Sequence, residues 1–416
     1  MFRKILTVLA GLLLLLVIAA TATFAYTSHV WDSPVPAPLP PISADGSPAA
    51  LERGAALFHS TCEVCHRGPG SATASGAPVT DVPAFLGTFH APNLTRHPQA
   101  VLASYSDAEL ARLIRYGIDR NEHHLLMPTY GMGDADVAAL LGFLRSADPL
   151  FHPDARPSPR SELSTLGRAV LVLAGAADTP ERPAQGIPVP EKRASKEYGR
   201  YLATQVFDCV GCHSPGFGPQ DPEAEDAFIG GFEFQDPSGA PIVSRNLTPH
   251  PTGLAHYSPS DLDRALRSGL RPDGSALSPP MPLFRGLEEI EVAALYTYLQ
   301  SLPARAAAEG GATSRRPSPP SHERPEARFA SLGCGACHGP GAHHASALAH
   351  VSEKTPEELA RWIRHPERTL PGTPMPSYAA VLDEAAALEL ATWIRDGAAR
   401  NGRLRDGTVR NSGSVD

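Results

Sequence analysis

Hydrophobic positions in this chain follow two regimes. Behind Arg3 and Lys4 an apolar run extends from Ile5 to about Tyr26, with Leu12 to Leu16 uninterrupted. About 20 such residues suffice to cross roughly 30 Å of hydrocarbon as a helix. Residues 1–28 are therefore expected to form a membrane anchor, or a signal peptide cut after Ala20-Thr21-Ala22. The length of the run favours the anchor. On either reading the positive end stays cytoplasmic and the rest of the chain lies across the membrane.

Beyond a Pro-rich tether at residues 29–50, the apolar spacing becomes helical and repeats. A helical pattern from Leu51 to Phe58 runs into Cys62, and Tyr198-Gly199-Arg200-Tyr201-Leu202 runs into Cys209. A shortened third approach places Phe329 and Leu332 before Cys334. Asn93-Leu94-Thr95-Arg96-His97-Pro98 is answered by Asn246-Leu247-Thr248-Pro249-His250-Pro251. Three helix starts follow: Ser106 with Glu109 as a capping box, Ser258 before Pro259, and Thr355-Pro356-Glu357-Glu358. Three closing helices are predicted at Asp134 to Arg145, Leu287 to Gln300 and Leu382 to Asp396, with Phe143, Tyr298 and Trp393 at matching positions. These aromatics are expected to pack the last helix of each unit on its first.

The repeats predict three copies of one small helical domain, at 51–148, 191–303 and 326–400. A connector at 149–190 contains one apolar stretch, Leu163 to Leu173, expected as a helix across the first two domains. Residues 304–325, rich in Ala, Gly, Ser, Arg and Pro, read as a flexible linker from which the third domain hangs more loosely. The tail at 401–416 reads as disordered. Abundant Pro (43) and Gly (36) with 6% aromatic residues suit small helical units joined by irregular segments. A formal charge of -8 argues against a nucleic-acid partner.

The chemistry sits in one phrase said three times. Cys62-Glu63-Val64-Cys65-His66, Cys209-Val210-Gly211-Cys212-His213 and Cys334-Gly335-Ala336-Cys337-His338 use all six cysteines of the chain. A zinc site would need a second Cys or His pair, and no cysteine is left to supply it. A disulfide framework would not explain a His after every pair. Two thiols at this spacing can each add across a vinyl group of one haem, with the next His beneath the iron. The expectation is three covalently attached c-type haems, held by Cys62, Cys65, Cys209, Cys212, Cys334 and Cys337, with His66, His213 and His338 as proximal ligands.

The opposite face of each iron decides between carrier and catalyst. Three of the five methionines precede proline and fall between a capped helix and a closing helix: Met127, Met281 and Met375. A Pro-braced loop can press a thioether on iron, which raises the potential and suits electron transfer. These three are expected as sixth ligands, with Met132, His123 and His124 near enough to compete at the first site. His90, His97, His250, His256, His343, His344 and His350 read as surface groups or propionate neighbours. Asn93 and Asn246 either bond a propionate or fix a turn. Each proximal His should donate its second ring nitrogen to a carbonyl that the sequence does not identify.

These residues resemble a family. Gly-Arg-Tyr-Leu before Cys209, Asn-Leu-Thr-Pro at Asn246, Tyr-Ser-x-x-x-Leu at Tyr257 and Pro-Pro-Met-Pro at Pro279 are similar to the cytochrome c subunits of membrane-bound bacterial alcohol, gluconate and aldehyde dehydrogenases. The third unit, with Thr-Pro-Met-Pro-Ser-Tyr at Thr373, resembles a small class I cytochrome c. The resemblance implies an all-α chain of three tandem cytochrome c domains. It also implies electron flow from a partner dehydrogenase toward quinone or an oxidase. The expected function is single-electron transfer on the periplasmic side of the bacterial inner membrane, between a dehydrogenase or quinol-oxidising donor and a downstream oxidase or cytochrome, with no catalytic site of its own. The alternative is a peroxidase or thiosulfate-oxidising enzyme with one catalytic haem. The acidic stretch Asp221 to Asp226 could steer a basic partner, or be a solvated loop.

Overall fold

The computed structural model describes residues 2–68, 71–79, 82–175, 177–216, 220–235, 241–278, 280–308, 324–338, 345–370 and 373–399. The tail at 401–416, most of the 304–325 segment, His343 and His344 lie outside the described residues.

Helix α1 (Phe2–Asp32) is longer than the 28 residues expected. Nothing breaks it before Ser33-Pro34, where the proline ring turns its predecessor away from helical geometry. In the first unit, α2 (Pro48–Leu57) starts on the Ser47 cap, with Pro48 at its first position. A π-helical turn at Phe58–Cys62 leads into α3 (Glu63–His66), which carries the first motif. After the hairpin β1 (Ala77–Val79) and β2 (Gly87–Ala91) come α4 (Val101–Ser104), α5 (Asp107–Tyr116) and α6 (Asp134–Arg145). The connector adds β3 (Glu162–Leu163) to the edge of β2 and forms α7 (Thr165–Leu173).

The second unit repeats the plan. Helix α8 (Lys196–Tyr201), a π-helical turn at Leu202–Val206 and α9 (Cys209–Cys212) precede the hairpin β4 (Glu233–Gln235) and β5 (Pro241–Val243). Then come α10 (Pro259–Asp263) and α11 (Glu289–Gln300). The third unit has α12 (Pro325–Ser331), α13 (Cys334–His338), α14 (Pro356–Arg364), α15 (Pro366–Thr369) and α16 (Glu384–Ala399). The short antiparallel strands amend the expectation of an all-α chain. In the first two units each hairpin bridges the motif and the Asn-Leu-Thr phrase.

Within each unit the first helix crosses the last. A Cβ on Gly54 would lie 2.1 Å from the Ala139 carbonyl oxygen, and one on Gly199 2.0 Å from that of Ala294. Only glycine lets these backbones meet. Phe143 packs on Phe58 and Trp393 on Phe329, while Tyr298 meets α8 through its Cβ beside Gly199 and turns its ring onto Phe228.

One hydrophobic core runs through both of the first two units, from Leu57 and Phe151 to Tyr198 and Leu299. The third unit has its own core, but Leu270 and Ala276 of the second unit belong to it. Ala276 N–H donates to Leu332 O at 3.0 Å, and Ser377 N–H to Ser268 O at 3.3 Å. The expectation of a loosely hung third domain is corrected here: it is docked on the second through a shared apolar seam. Helix α7 also departs from expectation. It packs against α1 and on the 84–86 turn instead of across the two units.

Candidate functional site

The first two motifs each follow a widening of the helical turn. The π-helical turns at 58–62 and 202–206 deliver Cys62 and Cys209 to the edge of the common core. Met127 and Met281 pack against the same core, and Cys334 and Met375 against the third-unit core. First cysteine and candidate methionine thus share one apolar wall in every unit.

The histidines are oriented by backbone. His66 Nδ1 lies 3.0 Å from Pro92 O, and His213 Nδ1 lies 2.6 Å from Arg245 O. A carbonyl only accepts, so Nδ1 carries the proton and Nε2 keeps a free lone pair. Burial pulls both pKa values below the ordinary histidine value, with the carbonyl bond opposing it. The neutral ring so favoured is the form that ligates a metal.

Pro92 and Arg245 were not legible as residues, but the repeated phrase that follows each was the signal. Asn93 Oδ1 accepts from Thr95 N–H and Asn246 Oδ1 from Thr248 N–H, both at 2.8 Å. Their amides donate to Asp154 O and to Arg305 O. Both asparagines fix the turn that aims the carbonyl. Gly76 and Gly230, at φ +85° and +77°, return the chain beside it and donate to the carbonyls of His66 and His213. A Cβ on either would strike Ala91 O or Ser244 O, at 2.4 and 2.5 Å.

The methionine loops are registered by another repeated bond. The N–H of Tyr130 donates to Ile114 O, that of Phe284 to Leu266 O, and that of Tyr378 to Ile363 O. Each aromatic stands three residues after its methionine, so Met127, Met281 and Met375 are equivalent. This aromatic at Met+3 was present in the sequence and not used. Met132, by contrast, is wholly buried in the core beside Tyr130.

Among the described residues no disulfide joins any of the six cysteines. Burial pushes Cys62 up to about 11 and Cys209 and Cys334 up to about 12, so all three are neutral near pH 7. Beside the first motif, Glu63 is clasped by His59 and Arg67 at 2.7 Å each. Burial opposes its charge, but these two partners hold its carboxyl below the usual range. Tyr130, 9% exposed, is raised by burial and then by Cys62, Cys65, Asp208 and Cys212, so it stands within electrostatic reach of the first two motifs. Arg285 donates to Met375 O at 3.3 Å and is in range of Glu63 and Glu367, which joins all three units at one point.

Other histidines have other partners. His124 packs on Trp31, His250 Nδ1 lies 2.9 Å from Thr252 Oγ1, and His350 pairs with Glu353. Backbone N–H groups of Gln99 and His90 serve His97 Nδ1 and meet Ser161 Oγ respectively. Among the described residues no cluster of three or more His, Cys, Asp or Glu could hold a bare metal ion.

Two segments of the chain match known families. Residues 51–148 match the family described as cytochrome c, and residues 320–394 match the family described as cytochrome C oxidase, cbb3-type, subunit III. The chain carries cytochrome c domains. Cytochrome c domains imply covalently bound haem, and the neutral thiols, oriented imidazoles and apolar walls fit that group.

Among relatives, the chain is 34% identical over 141 residues to the fructose dehydrogenase cytochrome subunit of Gluconobacter japonicus, covering 33% of this chain and 27% of that protein. It is 39% identical over 103 residues to the cytochrome c subunit of alcohol dehydrogenase (quinone) of Gluconacetobacter polyoxogenes, covering 24% and 20%. It is 26% identical over 281 residues to a diheme cytochrome c-type of Cereibacter sphaeroides, covering 62% and 88%. The match thus spans about a quarter or less of the length of the two dehydrogenase subunits.

Proposed function

We propose that this cytochrome carries single electrons outside the cytoplasmic membrane, from a dehydrogenase or quinol-oxidising donor to a downstream oxidase or cytochrome. It would do so through three covalently attached c-type haems in three tandem domains. Cys62 with Cys65, Cys209 with Cys212, and Cys334 with Cys337 would hold the haems. His66 with Met127, His213 with Met281, and His338 with Met375 would ligate them. Helix α1 would anchor the chain at the periplasmic face.

The observation that carries this reading is the threefold bond from the aromatic at Met+3 to the preceding capped helix. It gives all three methionine loops one register, with Met127 and Met281 on the common core and Met375 on the third-unit core. Haem, when bound, supplies an iron that changes oxidation state by one electron. The chain's own residues orient it. Pro92 O and Arg245 O fix the imidazoles, and the Pro-braced loops hold the thioethers, so no proton or substrate needs to reach the iron. Tyr130, in range of the first two motifs, and Arg285, between Glu63 and the Met375 loop, support a compact relay. The relatives named as dehydrogenase cytochrome subunits support the donor class.

The test is stoichiometric reduction of the holoprotein followed by mixing with an oxidised soluble cytochrome c. The expected result is uptake of three electrons per chain, complete return of them to the acceptor, and no peroxide turnover. A haem that binds cyanide quickly and consumes peroxide would overturn the carrier reading.

A further inference from the structure

Helix α7 (Thr165–Leu173) carries apolar residues where a connector in water should carry polar ones. Leu166, Val170 and Leu173 are 49%, 37% and 69% exposed. At spacings of four and three they share one narrow face of the helix. The flanks of this stripe are committed: Gly167, Ala169 and Leu171 are buried, and a Cβ on Gly167 would lie 2.1 Å from Leu86 O. The helix is thus held rigidly with an apolar stripe outward. Ser164, its N-cap, donates to the carbonyl of Phe85, itself 49% exposed.

What covers this stripe is indicated by its neighbour. Helix α7 packs against α1, the one helix among the described residues long and apolar enough to cross a membrane. Arg168 forms a 2.5 Å ion pair with Asp32, the last residue of α1. Asp32 lies six residues, or about 9 Å of helix rise, beyond Tyr26, where the apolar run ends. That is the level of the headgroups, where a helix lying in the membrane plane buries its apolar face roughly 5–10 Å deep. Tyr26, 61% exposed, is the kind of side chain that marks this boundary.

We infer that α7 is an interfacial helix that inserts Leu166, Val170 and Leu173 into the lipid surface beside α1. The inference rests on α1 spanning the bilayer. Two contacts fixed to each other would set the orientation of the haem units on the membrane, where a single spanning helix would leave them free to turn about its axis. The occupant is lipid because α7 is packed against the one helix among the described residues that is apolar enough to cross a membrane, and is tied to the end of that helix by the Arg168–Asp32 pair.

The test places full-length holoprotein in phosphatidylcholine liposomes doped with a lipid whose acyl chain bears a diazirine. After photolysis, adducts are mapped by peptide mass spectrometry. Adducts within both 2–26 and 165–173 are expected. A triple variant, L166S/V170S/L173S, should lose the adducts in 165–173, keep those in α1 and leave the haem spectrum unchanged. Labelling of α1 alone in the parent protein would overturn the inference and leave the anchor standing. Labelling of α7 alone would sustain the surface contact and overturn the anchor. Labelling of neither would overturn both.

Discussion

The guanidinium of Arg53 lies 2.5 Å from the carboxylate of Glu291, 238 residues further along the chain. The same guanidinium grips both oxygens of Asp136, at 2.8 and 2.9 Å. Tyr198 donates to Glu291 at 2.9 Å and Tyr201 to Asp136 at 2.7 Å. Asp136 and Glu291 stand at the same point of their closing helices, so the lock joins equivalent places in the first two units. Burial opposes the charge on Arg53, yet the two carboxylates hold its pKa above the ordinary value. Every member of this buried group has a partner, which is the condition under which such a network holds its geometry.

Breaking the lock should therefore be costly. Arg53→Leu leaves two buried carboxylates facing each other without a cation. A loss of about 3–5 kcal/mol in denaturant unfolding is expected. A loss below about 1 kcal/mol would mean that the shared apolar core alone joins the units.

The helix crossing predicts a steric effect with no charge in it. Gly199→Val must push α8 away from α11, because its Cβ falls on the Ala294 carbonyl. A destabilisation of about 1–3 kcal/mol is expected, with a similar cost for Gly54→Val. Unchanged unfolding midpoints would contradict the close approach.

Asp208 gives a pH signature. It stands at φ +47°, and burial pushes its carboxyl up to about 6, against the lowering pull of the Gly211 N–H and Arg182. Below about pH 4 the group is protonated in both folded and unfolded chains and costs nothing. As pH rises from about 4 to about 6 the unfolded chain ionises first, so the folded state loses stability, and the penalty is constant above that. Asn tolerates the same left-handed backbone without the charge. Asp208→Asn is expected to gain on the order of 1–3 kcal/mol near pH 7 and nothing near pH 4. An equal gain at both pH values would show that charge is not the cause.

At the first site two methionines can be told apart. Met127→Ala should abolish the methionine-sulfur absorption band of one ferric haem and leave the other two. Met132→Leu should leave every haem band in place and cost less than about 1.5 kcal/mol, as a volume-conserving core change does. The reverse pattern would move the ligand to Met132.

What the sequence made legible was what chemistry writes as residue type at fixed spacing. The Cys-x-x-Cys-His phrases, the Met-Pro loops and the capping boxes of Ser106 with Glu109 and Thr355 with Glu358 all lie where the spacing put them. Ser258 went further than expected and closes a box with Asp261. The acceptors for His66 and His213 escaped notice because a backbone carbonyl has no side-chain signature. The docking of the third unit escaped for a different reason. Leu270 and Ala276 read as ordinary core residues of their own unit, and only the fold reveals that they complete another core. The apolar stretch at Leu163 to Leu173 gave a helix correctly but could not say which surface it would meet.

The central claim is three low-spin haems per chain, each with methionine opposite histidine. Electron paramagnetic resonance of the fully oxidised holoprotein, integrated against chain concentration, tests it most directly. Three low-spin ferric signals per chain and no high-spin signal are predicted. A high-spin signal approaching one per chain, or a low-spin total of two, would contradict the account.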